Sequence, residues 1–278
     1  MRAFKQVDVF TAVPYFGNAL AVVLDGTGLS TEAMQRFAHW TNLSETTFLL
    51  PPTNPAANYR VRIFTPDVEL PFAGHPTIGS CHAWLEAGGI PQREGLVVQE
   101  CGAGLITLRR QDGRLAFAAP PLIRGGAVDE ADIERTCRIL RIDRSDVVDI
   151  AWADNGPGWI AVLLADAAAV LAIEPDYGDE TQVYLGVAGP HPAGSPEALE
   201  VRAFFRETAQ AAEDPVTGSL NASLAQWLLA SGRIEAPYVA AQGTVVGRGG
   251  RVFIDQDGDD VWVGGNAVTC INGDVLIG

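Results

Sequence analysis

Two short segments of the chain place titratable side chains beside what the pattern indicates are helix starts. His75-Pro76-Thr77-Ile78-Gly79-Ser80 and Asp214-Pro215-Val216-Thr217-Gly218-Ser219 share one pattern, a polar residue, Pro, two residues and Gly-Ser. A helix start carries unpaired N–H groups and a partial positive charge, so it attracts a carboxylate or a developing anion. There the imidazole of His75 would favour its neutral form, and Asp214 would favour the carboxylate. Such groups suit proton transfer on a small acid.

The same residues also have purely structural interpretations. Asp followed by Pro is a common helix opening, in which Asp214 caps backbone N–H groups and does nothing more. His75 is less natural as a cap. Ser219, one turn in, could offer its hydroxyl to a ligand or merely stabilise the helix. Glu45 is one of 34 acidic residues, and its spacing alone indicates a solvated turn. The residues by themselves leave both interpretations open.

The match between the two halves of the chain extends beyond these segments. Arg60–Phe64 lies over Glu200–Phe204 with a one-residue slip, and Gly17 with Ala21–Leu24 lies over Gly156 with Ile160–Leu163. A duplicated chain folds as two like domains with pseudo-twofold symmetry. His75 and Asp214 would then occupy matched positions and face each other across an active-site cleft between the domains, where ligand pockets are common.

Composition and charge limit the classes of function. At 278 residues the chain is at the size where single cores stop growing, which favours two domains. The expected bounds are residues 1–122, with 267–278 as a candidate completion, and residues 123–266. A net charge of −15 argues against nucleic acid or an anionic membrane as a partner, but not against an anionic small molecule.

Targeting signals and thiols point to the cytoplasm. The opening MRAFKQVDVF has the pattern of a strand and not of a signal peptide. No apolar stretch is long enough to span a bilayer. The four cysteines show no CxxC spacing, so we expect reduced thiols rather than a disulfide framework or a metal site.

The elements that must position these residues are mostly strands. β-branched content and turn signals predict strands at Gln6–Phe10, Ala19–Leu24, Thr47–Leu50, Tyr59–Phe64, Leu96–Gln99, Gly104–Leu108 and Leu115–Ala118. Periodicity and capping signals predict helices at Thr31–Trp40, Pro76–Ala87 and Pro215–Ala230. The stretch Ala119–Gly126 is typical of a link between domains.

Several segments resemble the signature segments of the PhzF-like phenazine-biosynthesis isomerases. They are Asn42–Thr46, Phe72–Gly79 and Glu213–Ser219, and Val7–Thr11 followed by Gly17-Asn18 also fits. The resemblance covers essentially the whole chain. It implies the α+β fold of diaminopimelate epimerase, with two pseudo-symmetric domains, each a curved, mostly antiparallel sheet wrapped around a central helix.

The resemblance also implies an activity and a set of site residues. The activity would be a cofactor-independent isomerase that moves a proton, and with it a double bond, on a small cyclic or unsaturated carboxylic acid. The implied model is the dihydro-hydroxyanthranilate isomerase of phenazine biosynthesis. Glu45 would be the principal proton carrier, supported by His75, Asp214 and Ser219. Substrate binding would fall to Gly74, Gly218, Asn18 and Ser44. No metal is expected, and we expect a homodimer.

Two alternatives stay open from the sequence. A scaffold of this fold could bind a metabolite or a protein without catalysis, although a pure binder would not need this mixture of titratable groups. An amino-acid epimerase or racemase of the wider superfamily would place a cysteine at each helix start. This chain has His75 and Asp214 there, and its nearest thiol, Cys81, lies six residues along.

Overall fold

The structure, a computed structural model, describes residues 1–207 and 210–278 and is dominated by strands. The strands are β1 (Arg2–Val9), β2 (Asn18–Val23), β3 (Glu45–Leu50), β4 (Tyr59–Phe64), β5 (Glu69–Leu70), β6 (Leu96–Cys101), β7 (Gly104–Gln111), β8 (Arg114–Ala118), β9 (Arg124–Ala127), β10 (Val147–Asp154), β11 (Ile160–Leu164), β12 (Gln182–Pro190), β13 (Leu199–Glu207), β14 (Gln210–Asp214), β15 (Tyr238–Gln242), β16 (Gly250–Asp257), β17 (Asp260–Gly265) and β18 (Ala267–Val275). The α-helices are α1 (Thr31–Thr41), α2 (Gly74–Glu86), α3 (Glu130–Leu140), α4 (Ala167–Leu171) and α5 (Gly218–Ala230). Within the described ranges, no helix combines the length and the apolarity that a membrane span requires.

The chain divides into two compact units. Unit 1 comprises Met1–Ala118 and Gly264–Gly278, and unit 2 comprises Ala119–Val263. In unit 1, β1 pairs antiparallel with both β2 and β18, so a strand from late in the chain completes this sheet. Most other pairings are antiparallel, and β2–β3 and β4–β6 are parallel.

Helix α2 is the centre of unit 1. It packs against β1, β2, β3, β6, β8 and β18, and most of its residues are buried. A helix that is buried on most sides has to lie inside a sheet rather than on its surface. The close fit depends on Gly79, because a Cβ there would lie 2.5 Å from Leu20 Cδ2 and 2.8 Å from Val9 Cγ2. The start of α2 is therefore held against β1 and β2.

Unit 2 repeats the pairing order of unit 1. β10–β11, β12–β13, β13–β14 and β15–β16 are antiparallel, and β11–β12 and β13–β15 are parallel. Helix α5 takes the place of α2 and is likewise largely buried. Here the close approach is made by a strand glycine, since a Cβ on Gly186 would lie 2.1 Å from Leu220 Cδ1. The predicted α+β class, a mostly antiparallel sheet around a central helix in each unit, is confirmed.

A duplicated ion pair marks equivalent positions in the two units. Arg62 binds Glu69 through Nε and Nη2, at 2.7 and 2.6 Å, and Arg202 binds Glu213 in the same manner, at 3.0 and 2.7 Å. The pair is partly exposed in unit 1 and buried in unit 2. The two oxygens of one carboxylate accept the two parallel N–H bonds of a planar guanidinium. This bidentate geometry fixes the register of β4 against β5 and of β13 against β14.

The two equivalent Arg–Glu pairs show which residues of unit 1 correspond to which residues of unit 2, and this alignment differs from the predicted one. Gly74 and Gly218 begin helices of 13 residues each, and they are as far apart in the chain as Glu69 and Glu213. His75 therefore corresponds to Ser219, and the prediction that it matches Asp214 is wrong. The difference arises because β13 and β14 are longer than β4 and β5, which displaces the second motif.

Several predicted boundaries also change. Helix α2 begins at Gly74 rather than Pro76, so His75 lies in its first turn. Helix α5 begins at Gly218 rather than Pro215, with Thr217 in the N-cap position, because β14 continues to Asp214. The interpretation of Asp214 as a helix cap is therefore wrong. Part of the expected interdomain link forms β9, which pairs with β10.

Candidate active site

Glu45 is placed by the end of α1 and the start of β3. Asn42 ends the helix in the left-handed conformation, φ 54°, and its N–H donates to the Ala38 carbonyl. Asn tolerates this conformation better than most residues, which explains its place in the motif. Thr46 is fully buried, and its hydroxyl lies 2.9 Å from that of Thr41. Glu45, the first residue of β3, is thereby held between two fixed residues.

His75 reaches Glu45 from the first turn of α2. Its Nδ1 lies 2.9 Å from Glu45 Oε2, a hydrogen-bonding distance. The histidine side chain is 4% exposed and the glutamate side chain 17%, so the pair is largely shielded from water. The edge-to-face contact of Phe72 with Phe117, with ring centroids 5.6 Å apart, anchors the chain just before the helix. The interpretation of Glu45 as a solvated turn residue is wrong.

Two atoms of this pair remain available to a ligand. His75 Nε2 is buried and has no hydrogen-bond partner in the described part of the chain. The side chain of Glu45 makes a single hydrogen bond to the described residues, through Oε2, which leaves Oε1 available. Buried polar nitrogens are nearly always paired in folded proteins, and an exception calls for a functional reason. The pair can accept, hold and return a proton.

The other predicted residues of unit 1 lie at the starts of neighbouring elements. Gly74 is buried at the first position of α2, and Asn18 is buried at the first position of β2. The turn before Asn18 is fixed by Gly17, whose N–H donates to Asp8 Oδ2 at 3.0 Å. Ser44 is exposed and directly precedes Glu45. Glu45 and His75 are the predicted residues that the structure joins by a hydrogen bond in this unit.

In unit 2 the predicted residues gather at the start of α5. Asp214 Oδ2 accepts a hydrogen bond from the Thr217 hydroxyl at 2.6 Å. Gly218 is buried at the first helical position, and Ser219 follows it. Ser219 Oγ accepts a hydrogen bond from Trp159 Nε1 at 3.2 Å, so its own proton is left for another acceptor.

Sequence reasoning missed the residues that hold these groups. Trp159 and Gln242 contact the start of α5 from distant parts of the chain, and neither stands in a recognisable motif. A lone Trp or Gln inside an apolar strand region carries no signal that a sequence could reveal. Within the described residues, no group of three or more His, Cys, Asp or Glu could hold a metal ion. The predicted absence of a metal stays a prediction.

The thiol chemistry of an epimerase has no support at this site. Cys81 is buried in α2, and burial raises the pKa of its thiol to about 12. The thiolate is the reactive form, so such a cysteine is inert near neutral pH.

Comparison with known proteins places the chain in a family. The family model for phenazine biosynthesis-like proteins matches residues 7–273. Antisense-enhancing sequence 1 of Schizosaccharomyces pombe is 35% identical, with 99% of each chain covered. Trans-2,3-dihydro-3-hydroxyanthranilate isomerase of Pseudomonas chlororaphis is 32% identical, with 100% of each covered. A solved phenazine biosynthesis protein of the PhzF family from Bacillus anthracis superposes with a TM-score of 0.82 at 22% identity, covering 99% of each chain.

The relatives that are named as isomerases, at 31–32% identity over most or all of the chain, place this protein in the isomerase class. The chain belongs to the phenazine biosynthesis-like protein family. The predicted resemblance is confirmed, and so is the assignment to the isomerases.

Proposed function

We propose that the chain moves a proton between two carbons of a small unsaturated carboxylic acid, using Glu45 and His75 and no cofactor. The observation that supports this most directly is the 2.9 Å contact between His75 Nδ1 and Glu45 Oε2, with Glu45 Oε1 and His75 Nε2 available. The Glu45 side chain is 17% exposed, which limits the contact of water with a proton that it holds. A positioned acid/base group of this kind contributes about 10²–10⁴ in rate.

The reaction balances without any other reactant. The Glu45 carboxylate takes a proton from a carbon next to a conjugated system, and the C–H electron pair enters that system. Protonated Glu45 then gives the proton to a different carbon, and the double bonds shift. His75 keeps Glu45 oriented through Nδ1, and Nε2 can bind a polar group of the substrate. Atoms and charge are the same before and after, so the net change is an isomerisation.

The substrate class follows from polar groups and from the relatives. Trp159 donates to the Ser219 oxygen, so the hydroxyl proton of Ser219 is left for another acceptor. A substrate carboxylate would be a suitable acceptor. Asp214 suits a substrate amine or hydroxyl. An amino- and hydroxy-substituted ring acid carries all of these groups, and relatives at 32% identity are named for one, trans-2,3-dihydro-3-hydroxyanthranilate. We take this acid as the first substrate to test.

The test is incubation of this acid with the protein in D₂O, followed by NMR and mass spectrometry of the product. We expect the wild type to produce the double-bond isomer, with deuterium incorporated to the extent that Glu45 exchanges its proton with solvent. Glu45→Gln keeps the shape and the hydrogen-bonding capacity but removes the base, so turnover should fall about 10³-fold with normal folding.

The matched control is Glu94→Gln, the same change at an exposed glutamate of unit 1. It should leave turnover unaltered. Comparable turnover in Glu45→Gln and the wild type would remove Glu45 from the mechanism. A wild-type protein that binds the acid but never rearranges it would favour the non-catalytic scaffold.

A further inference from the structure

Gln242 makes a closed set of hydrogen bonds at the start of α5. It is fully buried at the end of β15. Its Nε2 donates to the Asp214 carbonyl at 3.1 Å and to Thr217 Oγ1 at 2.9 Å. Its Oε1 accepts from the Thr217 N–H at 3.0 Å and from Asn221 Nδ2 at 2.8 Å. These four bonds use both N–H groups and both lone pairs of the side-chain amide.

The backbone partners fix the orientation of this amide. The Thr217 N–H can only donate and the Asp214 carbonyl can only accept, so the amide oxygen and nitrogen of Gln242 cannot be exchanged. The nitrogen must then donate to the Thr217 hydroxyl. The hydroxyl has one proton of its own, and it donates this proton to Asp214 Oδ2 at 2.6 Å. The direction of the whole chain of bonds is set by Gln242.

We propose that Gln242 is a positioning residue which, through the Thr217 hydroxyl, holds Asp214 as an oriented carboxylate for the substrate. A hydroxyl that donates to a carboxylate stabilises its charged form. Because Gln242 donates to the Thr217 oxygen, the hydroxyl is oriented with its own proton directed at Asp214 Oδ2. This role rests on the proposed function, in which Asp214 binds the substrate.

Unit 1 has a counterpart that lacks this link. Gln99 is fully buried, its Nε2 donates to Thr77 Oγ1 at 3.0 Å, and its Oε1 accepts from Tyr59 at 2.9 Å. Thr77 is the fourth residue of α2, as Asn221 is of α5. Both units thus use a buried Gln to hold their central helix. Among the described residues, the hydrogen bonds that continue from the buried Gln through a threonine hydroxyl to a carboxylate are those of unit 2. Gln99 therefore serves as a matched control.

Three variants separate positioning from mere support. Thr217→Val keeps the shape and removes the hydroxyl, and Thr217→Ser restores the hydroxyl. Gln242→Glu keeps the acceptor oxygen and removes the donor to Thr217. The first readout is ¹³C NMR of labelled aspartate side chains, with Asp214→Asn to assign the Asp214 signal. The second is the pH profile of kcat/KM on trans-2,3-dihydro-3-hydroxyanthranilate.

We expect the titration midpoint of the Asp214 carboxyl to move to higher pH by about 1 in Thr217→Val and Gln242→Glu. Thr217→Ser and the control Gln99→Glu should leave it at the wild-type value. In the assay, kcat/KM should fall at least tenfold in Thr217→Val and in Gln242→Glu, and Thr217→Ser should keep close to the wild-type value.

The activity assay and the NMR titration test different proposals, so a negative result in one does not decide the other. An inactive wild type would overturn the proposed function, while the NMR titration would still test the positioning role. An Asp214 midpoint that stays constant in Thr217→Val would overturn the positioning role even with full activity elsewhere. If Gln242→Glu fails to fold, Thr217→Val and Thr217→Ser decide the matter alone, because both preserve the buried amide.

Discussion

His75 carries an unpaired nitrogen whichever proton arrangement the pair adopts. With Glu45 ionised and the imidazole neutral, Nδ1 carries the ring proton. Nε2 is then an acceptor to which no described residue donates. With Glu45 protonated, its O–H donates a hydrogen bond to Nδ1. The ring proton then lies on Nε2, which becomes a donor without an acceptor among the described residues. A buried polar atom left unpaired costs about 1–3 kcal/mol, and a ligand that reaches Nε2 recovers this free energy. In the proposed reaction, substrate binding and proton transfer would therefore involve the same imidazole ring.

The role of this ring can be tested with His75→Asn. Asparagine can still donate a hydrogen bond towards Glu45, but it cannot carry a proton, so we expect a folded protein with kcat/KM lowered about 10²-fold or more. His39→Asn, the same change at an exposed histidine of unit 1, serves as the control. Stopped-flow or coupled assays give the rates, and circular dichroism gives the folded fraction. Near-wild-type turnover in His75→Asn would show that the ring is only structural.

At the residue scale, the sequence could predict the groups but not their partners. Glu45 was indistinguishable by spacing from other acidic residues, and only the resemblance to a family singled it out. The hydrogen bond to His75 joins residues from different elements, so no local pattern encodes it. Gln242 could not be predicted at all, because its partners lie in a distant segment of the chain.

At the scale of elements, the central helices depend on glycine at the points of closest approach. Gly79 lets α2 contact β1 and β2, and Gly186 lets β12 contact α5. The first residues of α2 include His75, so the fit at Gly79 also sets where the imidazole lies. A methyl group at this point would push the helix away from the strands or force Leu20 out of its rotamer.

Gly79→Ala should therefore destabilise the protein by about 1–3 kcal/mol, despite the better helix propensity of alanine. The control is Gly273→Ala in β18, where a new Cβ meets no atom within 4 Å and should change the free energy of unfolding little. Urea unfolding curves measure both. A Gly79→Ala protein at least as stable as the wild type would show that the packing at this point is loose.

Element types were easier to predict than element boundaries. Strands with alternating burial and the three predicted helices follow from local sequence, and they appear at or near the predicted positions. Helix α3 was not predicted, although Asp129 caps it by accepting from the Asp132 N–H. The register of the repeat was mispredicted because a shared Pro–x–x–Gly–Ser pattern outweighed the different lengths of the preceding strands.

At the scale of the whole molecule, unit 1 is built from two separate pieces of the chain. Strand β18 pairs with β1 from Arg2↔Val275 to Val9↔Ala267, and α2 packs on it as well. Unit 2 is one continuous segment, Ala119–Val263. The stability of the unit that holds Glu45 and His75 thus depends on residues that follow the whole of unit 2.

Two truncations test this dependence. A chain that ends at Asn266 lacks β18, and a chain that ends at Val275 retains it. We expect amide hydrogen exchange in β1 and β2 to become fast in the shorter chain and to stay slow in the longer one, with β11–β13 protected in both. Exchange mass spectrometry resolves these segments. Fast exchange throughout the shorter chain would contradict independent stability of unit 2.

The discontinuity of unit 1 sets an order of events on the ribosome. Domains generally fold as units while the chain is being made, and the N-terminal one usually comes first. Here we expect the usual order to be reversed. Unit 2 has all its residues once Val263 has left the exit tunnel, whereas β1 waits for β18 with one edge unpaired. An unpaired strand edge is a template for wrong pairing. We therefore expect unit 1, although its first strands are synthesised first, to keep this edge of β1 open to wrong pairing until β18 has been made.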